Sequence, residues 1–564
     1  MQTKFRVLAE LGDKLEKTTS RKLMVNFVAE FLNNLPPDEI KATSDMILGR
    51  SFPKGDPRTL EVSWTTISGV VKKLIDMNGQ SFSEIFSKTG DLGETIKRIF
   101  EASKIRKQST LVQEPLTILK VASILKLIAE AKGTGSRQRK ERLLETLLGA
   151  AAPLEAKYIV KILIGEMRTG FHEGLMELVV SKAFKVPHEL VRKANMITGD
   201  IGEVAEVAKI GGKKAVSKFR LKVFRPIRPM LAQTAEGVEE ALNQHGDKTA
   251  FEYKLDGARV QIHISNGKVR IFSRRLNDVT ESFPEIVNLV GKQIGDDEAI
   301  FEGEIIAVGR GGVPLPFQYL MRRFRRVRNI DDMVKKIPVQ LQLFDLLYYD
   351  GKSLIDDTYV KRRKKLVLIG GIIPLVKQKI ISNIGEAQSF LKEALDGGHE
   401  GLIAKKLDST YTPGIRGKKW FKIKMPLEPL DLVIVAAEYG YGRRHRWLSD
   451  YYLAGQDPET GELLMVGKTF KGLNDEEIKK MTKRLKQLEI KEKDRRVTVI
   501  PKIIVEVVYN EIQESPKYKC GMALRFARIT RVRDDKRLED VDSIQKIRKI
   551  YEKQFDRKAK FSKL

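Results

Sequence analysis

Cysteine is almost absent from this chain. A single residue, Cys520, stands among 564, which excludes a disulfide framework and any four-cysteine zinc site. Histidine is nearly as scarce, six in all, and scattered without metal-ligand spacing. Any metal is then expected to be a hard cation held by carboxylates and phosphates. Long apolar runs are missing too. No stretch reaches the ~18 uninterrupted apolar residues that mark a membrane span, and the opening MQTKFRVLAELGDKLEK reads as an amphipathic helix rather than a signal peptide. An intracellular protein without membrane association is expected. No internal repeat and no low-complexity segment interrupts the chain.

Positive charge is what the chain has in excess. Lys and Arg number 103 against 74 Asp and Glu, a net charge of +29. A surplus spread over the whole length points to a polyanionic partner, nucleic acid above all. Hydrophobic residues make up 42% and charged residues 31%, the mix of a globular protein, and the length calls for about three or four domains rather than one core.

Residues 1–222 read as helices. FRVLAELGDKLEK, SRKLMVNFVAEFLNNL, PLTILKVASILKLIAEA and ERLLETLLGAA place apolar residues three or four apart. Breaks are expected at Pro36–Pro37, at FPKGDP (52–57) and over the polar GTGSRQRKER (133–142). The proline-rich VFRPIRPM then leads into short β-rich runs alternating with helical ones, an α+β domain over 223–425. From 426 to 564 short strands and glycine turns suit a small barrel such as an OB-fold, closed by the helix SIQKIRKIYEKQF with Ser543 as its candidate N-cap.

In FEYKLDGARVQIH (251–263) strand alternation puts Glu252, Lys254 and, if the strand continues, Asp256 on one face, with Arg259 following. AIFEGEIIAV sets Glu302 and Glu304 two apart, so a strand there turns both carboxylates to one side. EGLIAKK (400–406) offers Glu400 beside a glycine and then lysines. WFKIK (420–424) separates Lys422 and Lys424 from Phe421 and Ile423, and ARITRVRDDK (527–536) ends in a basic-acidic cluster. Together these describe one site: a lysine nucleophile, carboxylates for a divalent metal or ribose hydroxyls, and cations for phosphates. A lysine that attacks phosphorus must first lose its proton. Nearby cations, metal or desolvation favour the neutral amine, and Asp256 opposes it.

In order and spacing these segments resemble the nucleotidyltransferase motifs of ATP-dependent DNA ligases, most of all the archaeal replicative type. The family's K-x-D-G-x-R is met by Lys254, Asp256, Gly257 and Arg259, and its S-R element by Ser273 and Arg274. Its D-G-E element is met by Glu302–Gly303–Glu304, with glutamate in place of the usual first aspartate. The aromatic adenine shelf is matched by Phe344, EGLIAK carries Glu400 and Lys405, WFKIK carries Lys422 and Lys424, and the closing R-x-D-K is Arg533, Asp535 and Lys536. RPMLA (228–232), EIQESPKY (511–518), LRFARI (524–529) and GEMRTGFHEG (165–174) extend the likeness over nearly the whole chain.

The resemblance implies a helical DNA-binding domain, an adenylation domain and an OB-fold domain. It also implies an enzyme that seals nicks in duplex DNA through lysyl-AMP and DNA-adenylate, in replication, repair and recombination. Lys254 is the implied nucleophile. Glu252 would read the adenine amino group, Arg259 and Glu304 the ribose, and Phe344 would stack on the base. Arg274 would hold the nick 5′-phosphate. Lys422, Lys424, Arg533 and Lys536 would contact ATP phosphates, with Arg416 in the same nucleotide-binding set. Glu304 and Glu400 would support Mg²⁺ or Mn²⁺. ATP is the implied cofactor, and relatives differ in accepting ADP or GTP beside it. The implied partner is nicked duplex in the nucleoid, met by a monomer. QSTLV (Gln108–Val112) stands where related ligases carry a clamp-binding glutamine and two aromatics, here Leu111 and Val112.

Other readings are weaker. RNA-capping guanylyltransferases share K-x-D-G but lack the helical front domain and the EIQESP–LRFARI flank, and an NAD-dependent ligase would need a cysteine zinc site. A non-catalytic DNA-binding relic would have lost one of the motif residues, and none is missing. VGKT (466–469) lacks the glycine a phosphate loop needs, because Glu462 stands in its place. GYGRR (440–444) reads as a hairpin or DNA-contact loop, and Cys520 as passive.

Overall fold

The computed structural model describes residues 2–555 apart from 54–55, 57, 76–78, 104–114, 247, 325–329, 415, 425–426 and 442–443. The segment Gln108–Val112 and the expected division at 425/426 lie outside the described residues, as does part of GYGRR.

Helices fill the first part, from Phe5–Glu16 to Ile201–Val216. Their starts are set by short polar side chains that accept from orphan backbone N–H groups: Ser20 from Leu23, Asp91 from Glu94, Thr117 from Lys120 and Asp200 from Glu203. In Ile118–Glu130 the residues Ile118, Val121, Ile124, Leu125 and Ile128 are buried, one face of a 3.6-residue period. They join a continuous core with Phe5, Val28, Ile96, Ile159 and Val204. Pro37 opens the helix Pro37–Ile47 as its first residue, where a missing N–H costs nothing. The expected break at 133–142 is shorter than the polar run suggests, since the helix Ser136–Ala150 begins inside it. Gly133 and Gly135, both at positive φ, make the turn. Arg137 then pairs with Glu141 at 2.9 Å one turn on, and long polar side chains favour helix.

The middle part holds two five-stranded sheets. One runs Leu231–Thr234, Arg416–Lys424, Gly401–Lys406, Thr249–Lys254, Gln378–Ile381 across its width. The other runs Lys268–Ser273, Ala258–Ser265, Ala299–Ala307, Val339–Tyr349, Lys352–Ser353. Helices Val238–His245 and Ile384–Asp396 cover the outer face of the first sheet through Phe251, Phe390, Leu402 and Phe421. Pro284–Ile294 and Tyr359–Gly370 cover the second. Between the sheets lie Met230, Leu255, Ile306, Phe344, Tyr411 and Trp420. Two half-buried sheets that face one another this way leave a cleft at the edge of the shared core, and most of the motif residues line it.

The last part is a curved antiparallel sheet of OB-fold type. Its central strand Leu430–Tyr439 pairs with Leu448–Gln456, Arg496–Val499 and Ile504–Val508. VGKT is the end of the strand Leu463–Thr469 rather than a phosphate loop. The helix Ile544–Phe555 starts as expected, with Ser543 Oγ accepting from Lys546 N at 3.1 Å. Cys520 is buried, its thiol directed at the Met465 and Met522 carbonyls.

One ion pair ties the covering helix Tyr359–Gly370 to the strand that carries Phe344. Arg362 donates to both carboxylate oxygens of Asp345, at 2.7 and 3.0 Å, and to the Asp357 and Ser409 carbonyls, with both charged side chains at 0% exposure. Removing one member strands the other charge in the core. Arg362→Met is expected to cost about 3–5 kcal/mol in urea unfolding followed by tryptophan fluorescence, and Asp345→Leu added to it to recover part of the loss. A single variant as stable as the parent would contradict this.

Candidate active site

The site is set by backbone register. Thr249–Lys254 pairs antiparallel with Gly401–Lys406 so that Lys254 lies opposite Gly401, and Arg416–Lys424 pairs from the other side with Lys424 opposite the same glycine. Glu400, one residue earlier, is therefore delivered between two lysines. Its N–H donates to the Lys254 carbonyl at 2.9 Å, and its Oε2 lies 2.5 Å from Lys254 Nζ and in contact with Lys424 Nζ. Only glycine fits at 401, where φ is +138° and a Cβ would collide with the Ile423 carbonyl oxygen. The strand stops at Lys254 and does not continue to Asp256. The chain turns there toward the second sheet, so closely that a Cβ at Gly257 would strike the Ile305 carbonyl oxygen. Asp256 still borders the cleft and accepts from Phe317 N at 3.3 Å.

On the second sheet Arg259 lies opposite Glu304, and Gln261 opposite Glu302. Both glutamates share a face, as alternation predicts, but they meet different surroundings. Glu304 borders the cleft. Glu302, 1% exposed, lies beneath it and accepts from Arg259 Nη2 at 2.6 Å. Arg259 also donates to the Met230 carbonyl at 2.7 Å, and its guanidinium lies 5.2 Å from the Phe344 ring centre. Met230 N donates to the Tyr411 hydroxyl oxygen at 2.9 Å, so the RPMLA segment is stitched to the same cluster. Glu252, 2% exposed, pairs with Lys405 Nζ at 2.6 Å. Lys405 in turn lies over the rings of Phe344 and Trp420 at 4.6 and 4.4 Å.

The cleft measures about 1260 Å³. Its acidic floor holds Asp256, Glu304 and Glu400. Arg274, Arg275, Arg416, Lys422 and Lys424 ring it. Mutual repulsion adds to burial here: burial first, then Lys424, Arg416 and Lys254, depress the Lys422 ammonium, and burial followed by Arg259 depresses the Arg274 guanidinium. Lys424 and Lys254 share the one Glu400 carboxylate, so cations outnumber their partners here, and such a half-buried cleft forms a site for a polyanion of small size.

Comparisons with known proteins agree on one family. Residues 229–424 match the family model described as the ATP dependent DNA ligase domain, residues 4–178 that of the DNA ligase N terminus, and residues 444–536 that of the ATP dependent DNA ligase C terminal region. The chain is 45% identical over 560 residues to the DNA ligase of Thermococcus fumicolans, across 99% of this chain and 100% of that one. It is 46% identical over 548 residues to DNA ligase 1 of Korarchaeum cryptofilum, across 97% and 98%. The chain belongs to the ATP-dependent DNA ligase family. In fold the ligase is also similar to the solved structure named Pmar-Lig_PreS3, at a TM-score of 0.59 and 17% identity over 93% of this chain and 99% of that one.

The ligase brings most of the expected residues to one place: Glu252, Lys254, Asp256, Arg259, Arg274, Glu304, Phe344, Glu400, Arg416, Lys422 and Lys424 all line the cleft. Arg533 and Lys536 do not. They sit where the strand Arg528–Val532 ends, paired with Asp431 at 3.2 and 2.6 Å on the C-terminal domain itself. That domain presents a different edge to the cleft, with Glu511, Arg525 and Phe526 lining it. Tyr411, Trp420 and Arg275 also belong to the site, although none was named as a site residue from the sequence. Trp420 opens the WFKIK motif, which was a signal for it; Tyr411 had none.

Charge on Lys254 is held by more than Asp256. Burial alone would lower its pKa, but Glu400, Glu304 and Asp256 together raise it above the ordinary lysine value. Conversely, burial would raise the Glu400 carboxyl, and Lys254 and Lys424 pull it down to about 2. Burial pushes Glu304 up to about 7 against the pull of Lys254 and Arg259. In the ligase without nucleotide Lys254 is thus an ammonium. Removing the Glu400 charge takes away what stabilises that ammonium, so in Glu400→Gln the lysine should deprotonate at lower pH. Acylation of Lys254 by an amine-reactive ester, followed by mass spectrometry against pH, should show the profile displaced to lower pH. An unmoved profile would contradict the assignment of Glu400 as its partner.

Proposed function

We propose that Lys254 carries the adenylyl group and that the ligase seals nicked duplex DNA through lysyl-AMP and DNA-adenylate. The observation that carries this is Lys254 Nζ paired with Glu400 and close to Glu304, in a cleft also lined by Arg274, Arg416, Lys422, Lys424, Phe344 and Trp420. Lys254 Nζ forms a P–N bond with the α-phosphorus of ATP as the bond to pyrophosphate breaks. The AMP then passes to the 5′-phosphate at the nick, and the 3′-hydroxyl displaces it to close the strand.

The residue roles proposed are those the family resemblance implies, and shared placement in the cleft supports them. Lys422, Lys424 and Arg416 stand beside Lys254 and offset phosphate charge, while Arg274 takes the nick 5′-phosphate. Phe344 supports the base, Arg259 with Glu304 reaches the ribose, and Glu252 accepts from the adenine amino group. Glu302 acts from below by fixing Arg259. Little covalent work beyond the nucleophile is asked of the protein, so positioning and charge neutralisation dominate.

Glu304 and Glu400 fit a hard divalent cation. Both offer carboxylate oxygen, and among the described residues no group of three or more ligating side chains exists to form a complete protein cage. That is the donor set of Mg²⁺ or Mn²⁺, which takes one or two carboxylates and completes its shell with water and substrate phosphates. When bound there, such a cation supplies positive charge at the phosphates and neutralises the two carboxylates. Burial, Lys422 and Lys424 then favour the neutral Lys254 amine and outweigh Asp256, which still opposes it.

Arg533 and Lys536 are proposed to reach the ATP phosphates only when the C-terminal domain turns about a joint near 425/426, a second joint lying near 222/223. The two residues would then trade Asp431 for the nucleotide. ADP or GTP as alternative donors and a sliding clamp at Gln108–Val112 are further proposals from the family resemblance.

Self-labelling tests the reading. With Mg²⁺ and ATP, label from the α-phosphate but not the γ-phosphate should stay on the denatured protein, and Lys254→Ala should abolish it while still sealing a nick already adenylated at its 5′-phosphate. No label and no sealing by the parent protein would leave a non-catalytic DNA-binding role. Arg533→Ala is expected to lower self-labelling far more than sealing of the pre-adenylated nick; equal losses would argue against the domain turn. Affinity for nicked duplex should fall linearly on a log–log plot against salt, with a slope of about −0.9 per phosphate contacted.

A further inference from the structure

We infer that Tyr359 and Gln378 are positioning residues for base selection: from behind the cleft they orient the Glu252 carboxylate to accept an amino group at purine C6 and to turn away a carbonyl there. The inference rests on the reading of Glu252 given above and extends it to residues that no motif includes.

Register places them. In its strand Glu252 lies opposite Ile403 on one side and opposite Gln378 of the edge strand Gln378–Ile381 on the other. A directly opposed pair puts both side chains on the same face. Tyr359 begins the helix Tyr359–Gly370, with its N–H on the Ser409 carbonyl at 2.8 Å and its ring 1% exposed. Glu252 borders the cleft, whereas Tyr359 and Gln378 do not.

The directions of the protons follow from chemistry. Gln378 Nε2 contacts the Tyr359 hydroxyl oxygen and lies 3.3 Å from Glu252 Oε1. An amide nitrogen can only donate, so the phenol oxygen accepts from Gln378 and directs its own O–H to Glu252 Oε1, which it touches. Burial first, and then the Glu252 charge, hold the Tyr359 phenol protonated far above its ordinary pKa. Lys405 Nζ takes the other carboxylate oxygen, 2.6 Å from Oε2. A carboxylate offers about four acceptor positions. Lys405, Tyr359 and Gln378 occupy three, leaving about one for whatever fills the cleft.

An adenine amino group can donate to that position. A guanine presents a carbonyl there, and acceptor would meet acceptor: the Lys405, Tyr359 and Gln378 protons are engaged with one another and with Glu252, and Arg363 Nη1 stands 3.7 Å from Glu252 Oε1 as its ion-pair partner. A site built to take a hydrogen bond from its substrate rejects the analogue that cannot donate one, because its own polar group is left unpaired. Without the phenol proton Glu252 regains an open acceptor position and rotational freedom, and the rejection weakens.

The experiment measures initial rates of lysine labelling at varied ATP and at varied GTP, for the parent protein, Tyr359→Phe, Gln378→Met and Glu252→Gln. The quantity read is the ratio of kcat/KM for the two nucleotides. It is internal to each preparation, so a partly destabilised variant does not distort it. Tyr359→Phe should lower the preference for ATP by about tenfold, mainly through KM for ATP, and Gln378→Met should move it the same way. If Glu252→Gln leaves the ratio unchanged, Glu252 does not read the base and the inference falls with that reading. If Glu252→Gln collapses the ratio while Tyr359→Phe and Gln378→Met both leave it intact, Glu252 keeps its role and the positioning inference alone is overturned.

Discussion

The site depends on one glycine that pairs two ways. Gly401 sits opposite Lys254 on one side and opposite Lys424 on the other, and no other residue can, because a side chain there would enter the Ile423 carbonyl. From that double pairing come the position of Glu400, its contacts with both lysines and the charge state of Lys254. A buried lysine amine would ordinarily be inclined to lose its proton. Here the carboxylate placed by backbone register holds the proton on.

The second organising feature is how charge is sorted. The protein carries an excess of cations over its whole length, yet in the middle domain most buried charges are matched: Arg362 with Asp345, Arg259 with Glu302, Lys405 with Glu252. The cations around the cleft are left less well matched: burial first, and then neighbouring cations, depress Lys422 and Arg274. Matched pairs lie in and beneath the wall of the cleft. Mismatched cations in front of it make a site that only an anion completes.

Much of this could be read along the chain. Alternation alone paired Glu252 with Lys254, Glu302 with Glu304, and Lys422 with Lys424 against the buried Phe421 and Ile423, since the side-chain period of a strand is two whatever the strand packs on. Helical spacing marked the first domain for the same local reason. Where neighbours in space decide, the local pattern left the outcome open or missed it. Asp256 lies beyond the strand because the chain must turn into the second sheet at Gly257. Glu302 is hidden although Glu304 is not, because Arg259 comes from the adjacent strand to cover it. Polar residues 136–142 are helical because Arg137 and Glu141 meet one turn apart.

Local pattern therefore determined the elements, the faces they present and, through motif order, the family. Tertiary structure alone decided which faces meet. It put Tyr359 and Gln378, 107 and 126 residues from Glu252 along the chain, onto one carboxylate, brought Tyr411 under Arg259, and left Arg533 and Lys536 on Asp431 instead of in the cleft. The reason is physical. A strand's alternation is written in consecutive residues, whereas register, sheet order and domain placement come from packing between residues far apart, where one position of slip or one turn of a domain changes every partner.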